Sequence, residues 1–131
     1  MENKALVSMA TEAKEKAYTP YSKFRVGSSI LTNKGVFLGA NIENGSYSMT
    51  MCAERTAIFQ AIMAGCRKGD FEKIAITSDT KQYIIPCGAC LQVLSEFCSP
   101  ETVVLLSNID EEFQTFKFKD LLPITFDINK E

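Results

Sequence analysis

Apolar residues recur along this chain at two spacings, and the changes of spacing mark its elements. Leu6, Met9, Ala10, Ala13 and Ala17 fall on one face at helical spacing with Lys and Glu between them, so residues 2–17 read as an amphipathic helix. Thr19-Pro20-Tyr21-Ser22 breaks it. Residues 26–32 and 36–42 then read as two strands of a hairpin that turns at Asn33-Lys34-Gly35. A polar loop follows over 43–50. From Cys52 the period is helical again, with Ala53, Ala57, Ile58, Ala61 and Ile62 on one face and Gly65 as the stop. Residues 74–77 read as a short strand. Pro86 precedes a second helix that carries Cys87, Cys90, Leu94 and Phe97, residues 103–106 read as another strand, and 118–122 as a short helical turn. Strands separated by single helices predict a mixed sheet with helices packed on it. No repeat, linker or low-complexity segment interrupts the pattern, and 131 residues suit one domain, 1–131.

Composition narrows the class. Hydrophobic residues make up 46% and charged residues 23%, a globular balance. The net charge of -2 argues against a nucleic-acid partner, which needs a basic surface. No apolar run is long enough to span a membrane, and Met1-Glu2-Asn3-Lys4 does not begin a signal peptide, so the expectation is a cytoplasmic protein with reduced thiols. Five cysteines, an odd number, make a disulfide framework a poor reading. Histidine is absent, which excludes Ser-His and Cys-His catalytic pairs and every His-ligated zinc site. A metal here has only thiolates or carboxylates to hold it.

The strongest signal is Cys52-Ala53-Glu54 followed by Pro86-Cys87-Gly88-Ala89-Cys90. Two cysteines three apart at a helix start point at one ion, and a third from elsewhere completes a face. Cys52 and Cys87 both fall at expected helix N-termini, where the dipole and free amides favour a thiolate. Three cysteines leave a zinc ion one open position, as a catalytic site requires, whereas a structural site is closed by four ligands. Cys66, a full helix from Cys52, and Cys98, two turns beyond Cys90, are out of reach and read as buried thiols. Glu54 lies beside the ligands and suits a proton carrier next to a metal-activated water, although alone it is also an ordinary first-turn glutamate. Three thiolates on one divalent ion leave excess negative charge. Arg55 is placed to hydrogen-bond them and restore acidity to the metal, or else is a surface arginine. On their own, Phe24 and Phe126 read as core aromatics, and Asn41 and Glu43 as polar residues at a strand end.

Tyr21-Ser22-Lys23-Phe24-Arg25-Val26-Gly27, Asn41-Ile42-Glu43-Asn44, Cys52-Ala53-Glu54-Arg55-Thr56-Ala57 and Pro86-Cys87-Gly88-Ala89-Cys90 together resemble the small homotetrameric zinc-dependent cytidine deaminases. The likeness runs in order from about Ala17 to Phe126. It implies a five-stranded mixed sheet flanked by helices in three α/β/α layers. It implies zinc held by Cys52, Cys87 and Cys90, with Glu54 as the proton shuttle. The resemblance also implies that Asn41 and Glu43 bond a ribose hydroxyl, that Phe24 walls the pocket, and that the Ala53 amide faces the base carbonyl. Gly45 and Tyr47 match a loop that reaches a neighbouring subunit's site, and Phe126 a C-terminal aromatic that packs near the base. Two departures stand out: Ser28-Ser29 replaces a common Ala-Ala, and Gly45 stands where alanine is common.

The implied reaction is hydrolysis of the 4-amino group of cytidine or deoxycytidine in pyrimidine salvage, with a free nucleoside as the partner, no organic cofactor, and sites shared across a homotetramer. Three competitors remain at this point. They are a deaminase of a nucleoside antibiotic such as blasticidin S, a non-catalytic module closed on zinc by four ligands, and a nucleic-acid editing enzyme. The Asn41-Ile42-Glu43-Asn44 stretch disfavours the first, and the charge and missing histidine disfavour the last.

Overall fold

The computed structural model describes residues 1–128; the last three positions of the expected 1–131 domain lie outside the described residues. Five strands, β1 (Val26–Thr32), β2 (Gly35–Ala40), β3 (Phe71–Ser78), β4 (Val103–Ser107) and β5 (Phe113–Lys117), form one sheet in the order β2-β1-β3-β4-β5. β3 and β4 pair in parallel and the other neighbours antiparallel, so the sheet is mixed as expected. Helix α1 (Asn3–Lys14) covers one face. Helices α2 (Ala53–Met63) and α3 (Gly88–Phe97) cover the other, and α4 (Phe118–Leu121) closes its edge.

Strand alternation builds the two cores. Ile74 and Ile76 of β3 and Val104 and Leu106 of β4 point toward Ile58, Leu91 and Leu94, while Ala75 and Leu105 between them point toward Leu6, Val7 and Ala10. Each fully buried Ile or Leu contributes about 1.5–3 kcal/mol. The α2/α3 side holds more of them, so it anchors the two helices that carry the cysteines. The two serines that replace the common alanines are buried and satisfied: Ser29 donates to the Leu6 carbonyl at 2.6 Å and Ser28 to the Ala75 carbonyl at 3.0 Å.

The element boundaries differ from the periodic reading for identifiable reasons. Helix α1 stops at Lys14 rather than at 17, because the chain must turn for Tyr18 to bond Asn41 and Glu43 through its backbone, both at 2.9 Å. β2 ends at Ala40 rather than 42. Ile42 instead bridges Tyr18 on one side and Met51 on the other. β5 escaped the pattern because its half-buried residues, Phe113 and Phe116, are three apart with exposed Gln114 and Thr115 between them, so period-2 alternation is missing.

Gly39 sets where α2 begins. A Cβ built there overlaps the Ala57 amide and lies 2.5 Å from the Ala53 carbonyl, so the first turn of α2 rests on bare β2 backbone. These atoms are main chain and cannot swing aside. We expect Gly39→Ala to lift the start of α2, destabilise the fold by about 1–3 kcal/mol and weaken metal retention. Calorimetry with metal analysis checks this; an unchanged melting midpoint would refute the close approach.

Candidate active site

The N-termini of α2 and α3 meet. Cys52 is the N-cap residue of α2 and Cys87 that of α3, and Cys90 lies in the first turn of α3. The free amides of a helix start favour anionic sulfur, and the Cys87 sulfur accepts from the Cys90 amide at 3.4 Å. The Cys87 sulfur lies 3.9 Å from that of Cys52 and 3.4 Å from that of Cys90, and all three fall within 4.8 Å of one another. Thiolates 2.3 Å from one tetrahedral ion sit ~3.8 Å apart, so the spacing fits zinc. No fourth cysteine, aspartate or glutamate joins the group among the described residues. Cys66 and Cys98 are buried in the α2/α3 core, as the spacing predicted. Burial pushes the Cys98 thiol up to about 12, the behaviour of an inert core sulfur.

Charge is concentrated at this junction. Arg55, one helical turn along, places Nη2 3.3 Å from the Cys52 sulfur. The Cys90 thiol, which hydrogen-bonds Cys52, and then the Arg55 guanidinium together hold the Cys52 thiol near 5 against the opposing effect of burial. Cys90 moves the other way, pushed up by that same bond and by its own burial. The Cys52 bond in turn holds Arg55 firmly protonated. Arg55 Nε is buried and has no hydrogen-bond partner among the described residues. Glu54 is 4% exposed, and burial, reinforced by the Cys52 charge, pushes its carboxyl up. A carboxyl this secluded beside three sulfurs is costly to keep unless it is used.

Backbone pairing brings a second group of residues alongside. Ile42 exchanges both amide bonds with Met51, at 2.9 Å each, and Met51 directly precedes Cys52. Asn41 and Glu43 flank Ile42, so the sheet edge sets both next to the cysteine junction. The Asn41 side chain clamps the facing strand: its Oδ1 accepts from the Val26 amide and its Nδ2 donates to the Phe24 carbonyl, each at 2.9 Å. That leaves one N–H and one lone pair free. Glu43 Oε1 accepts from the Tyr21 and Ser22 amides at 3.1 Å. The Ser22 hydroxyl leads the contacts that hold its carboxyl below the usual glutamate range. These bonds hold a tight turn in which Lys23 takes a left-handed conformation, φ 60°. Phe24, at the end of that turn, is half-buried. Ala53 is fully buried at the first position of α2.

Three expected residues stand apart in the chain's own fold. Tyr47 is 88% exposed. Gly45 lies under Tyr21, whose hydroxyl would be 3.1 Å from an added Cβ. Phe126 is 71% exposed and lines a separate cavity of about 620 Å³ with Lys68, Cys98 and Phe118, rather than joining Cys52, Cys87 and Cys90. One group went unnoticed in the sequence: Lys14, Asp79 and Arg25, joined behind Phe24. The available signal was Lys14 itself, a charge on the buried face of α1.

A family model described as the cytidine and deoxycytidylate deaminase zinc-binding region matches residues 1–106. The chain belongs to this deaminase family. Among its relatives, the cytidine deaminase of Halalkalibacterium halodurans is 46% identical over 96% of this chain and 95% of its own length. That of Sporosarcina psychrophila is 43% identical over 96% and 92%. A crystal structure of cytidine deaminase from Burkholderia pseudomallei superposes with a TM-score of 0.92 at 47% identity, covering 96% of this chain and all of that one. The chain is thus a zinc-dependent enzyme of this family, and its fold is the family's five-stranded mixed sheet with helices.

The geometry separates two classes of cysteine. Cys87→Ala is expected to lower bound zinc sharply, while Cys66→Ala and Cys98→Ala retain it and lose only on the order of 1 kcal/mol of stability. Metal analysis of the purified variants checks this; zinc lost from Cys98→Ala alone would contradict the three-sulfur site.

Proposed function

We propose that the chain hydrolyses the 4-amino group of cytidine and deoxycytidine, releasing ammonia and leaving uridine or deoxyuridine, as a step of pyrimidine salvage. One observation carries this reading: a buried Glu54 beside three converging sulfurs that lack a fourth protein ligand among the described residues. A four-ligand binding module has no use for that open position. When bound, zinc supplies the Lewis acid that makes water a nucleophile at neutral pH.

The chain's residues do the rest. Cys52, Cys87 and Cys90 hold the metal, and Arg55 offsets the excess thiolate charge. Glu54 takes a proton from the attacking water and gives it to N3 of the base while the oxygen bonds C4. Glu54 then carries the second proton to the 4-amino nitrogen, the C4–N bond breaks and ammonia leaves. The Ala53 amide, at the open start of α2, faces the base carbonyl. Phe24 walls the base, and Asn41 and Glu43 use their remaining hydrogen-bonding capacity on the ribose.

The chain acts as one domain, 1–131, in a homotetramer that shares its sites. Tyr47 and Phe126 support this reading, because both are large, exposed and away from the chain's own cysteines. Gly45 belongs to the same shared loop. A net charge of -2 suits a free nucleoside better than a nucleic acid, and none of the described helices is long and apolar enough to cross a membrane. Five unpaired thiols suit a cytoplasmic setting.

Pure protein given cytidine should yield uridine and ammonia, and a chelator should abolish both. Glu54→Gln should keep zinc and fold while losing about 10²–10⁴-fold in turnover. Refolded together with Phe126→Ala, it should recover more activity than the two refolded apart, since mixed tetramers contain intact pockets. Turnover by Glu54→Gln within about tenfold of the parent would refute the shuttle, and simple additivity after confirmed mixing would refute shared sites.

A further inference from the structure

Behind the proposed nucleoside pocket lies a charged cluster that the reaction itself does not use. Asp79 follows the end of β3. Its Oδ2 accepts from Arg25 Nε at 2.9 Å and from the Arg25 backbone amide at 3.2 Å, and its Oδ1 accepts from Arg25 Nη2 at 3.1 Å. Lys14 Nζ, at the end of α1, is 3.1 Å from the same Oδ1 and donates to the Ser78 carbonyl at 3.3 Å. Arg25 Nη1 reaches Glu15 Oε2 at 3.0 Å. Lys14 is only 3% exposed, so this is not a loose surface pair. A buried amine held by one carboxylate is costly to assemble and strongly disfavours loss of that partner.

The cluster grips one tripeptide. Arg25 sits between Phe24 and Val26, the two residues whose backbone the Asn41 side chain clamps from the other side. The segment 24–26 is therefore pinned twice, by Asp79 through the Arg25 amide and guanidinium and by Asn41 through its neighbours. If the Asp79 grip is released, the Phe24 carbonyl and Val26 amide are free to shift, and the Asn41 amide that bonds them must shift too.

We infer that Asp79 is a positioning residue for the nucleoside pocket: with Lys14 and Arg25 it fixes segment 24–26, and so sets Phe24 and Asn41 where they receive the base and ribose. The inference rests on the proposed substrate contacts of Phe24 and Asn41. Among the described residues Asp79 bonds Arg25 and Lys14 and neither the cysteines nor Glu54, so its loss acts on substrate binding and not on the proton transfers.

Steady-state kinetics on zinc-loaded protein test this. Asp79→Asn keeps the size of the side chain but presents an N–H to Lys14 or Arg25. It is expected to raise KM for cytidine about tenfold while kcat stays within about twofold and zinc content is unchanged. Arg25→Met leaves the Lys14–Asp79 pair intact, guarding against a folding failure, and is expected to raise KM in the same direction. Because part of the effect of Asp79 passes through Asn41, the Asp79→Asn/Asn41→Ala double variant should raise KM by less than the product of the two single effects. A role confined to stability would lower the melting midpoint and the active fraction with KM unmoved, and that result overturns the inference. KM effects that multiply in the double variant overturn it as well. The parent's own turnover of cytidine is read first: its absence refutes the proposed function and takes this inference with it.

Discussion

The architecture depends on bringing three thiolates onto one divalent ion while leaving one side of that ion unfilled. Like charges at under 4 Å repel unless a cation and nearby donors hold them. Here the ion, the starts of two helices and one guanidinium share that task. Both helices lie on the same sheet face and bury their apolar sides in the same core of Ile58, Ile74, Ile76, Leu91 and Leu94. The hydrophobic burial that folds the chain therefore also fixes the distance between Cys52 and the Cys87–Cys90 pair. Gly39 completes the arrangement by letting the first turn of α2 lie directly on β2.

The polar side of the site follows from the same geometry. A buried glutamate next to sulfur anions would be destabilising in an ordinary core, and its carboxyl is pushed up accordingly. Arg55 cannot neutralise everything, since its Nε has no hydrogen-bond partner among the described residues. The pocket edge is built by a different device, backbone pairing between Tyr18, Ile42 and Met51. That strip ties the residues proposed for ribose binding to the residue before Cys52. Binding and chemistry are thereby held in register by main chain, which is stiffer than a contact between side chains.

Much of this was legible in the chain. The cysteine spacing, the missing histidine and the helix starts identified the metal group, because ligand chemistry restricts residue type and interval. The buried strands β3 and β4 showed as short apolar runs, and β1 as one arm of the hairpin that turns at Asn33-Lys34-Gly35. β5 did not, since an edge strand with one wet face and phenylalanines three apart carries no period of two. The Asp79 cluster was hidden for another reason: Lys14, Arg25 and Asp79 are distant in sequence, and only the sheet brings them together. Phe126 was expected near the base, yet within the chain's own fold it lines a separate cavity. Its exposure is what the proposed sharing of sites between subunits would leave in the fold of one chain.

The most direct test of the central claim is X-ray absorption at the zinc edge on the loaded protein without substrate. The account predicts three sulfur scatterers near 2.3 Å and one lighter scatterer at about 2.0 Å. Four sulfurs around the metal would mean that the site is closed, and would contradict it.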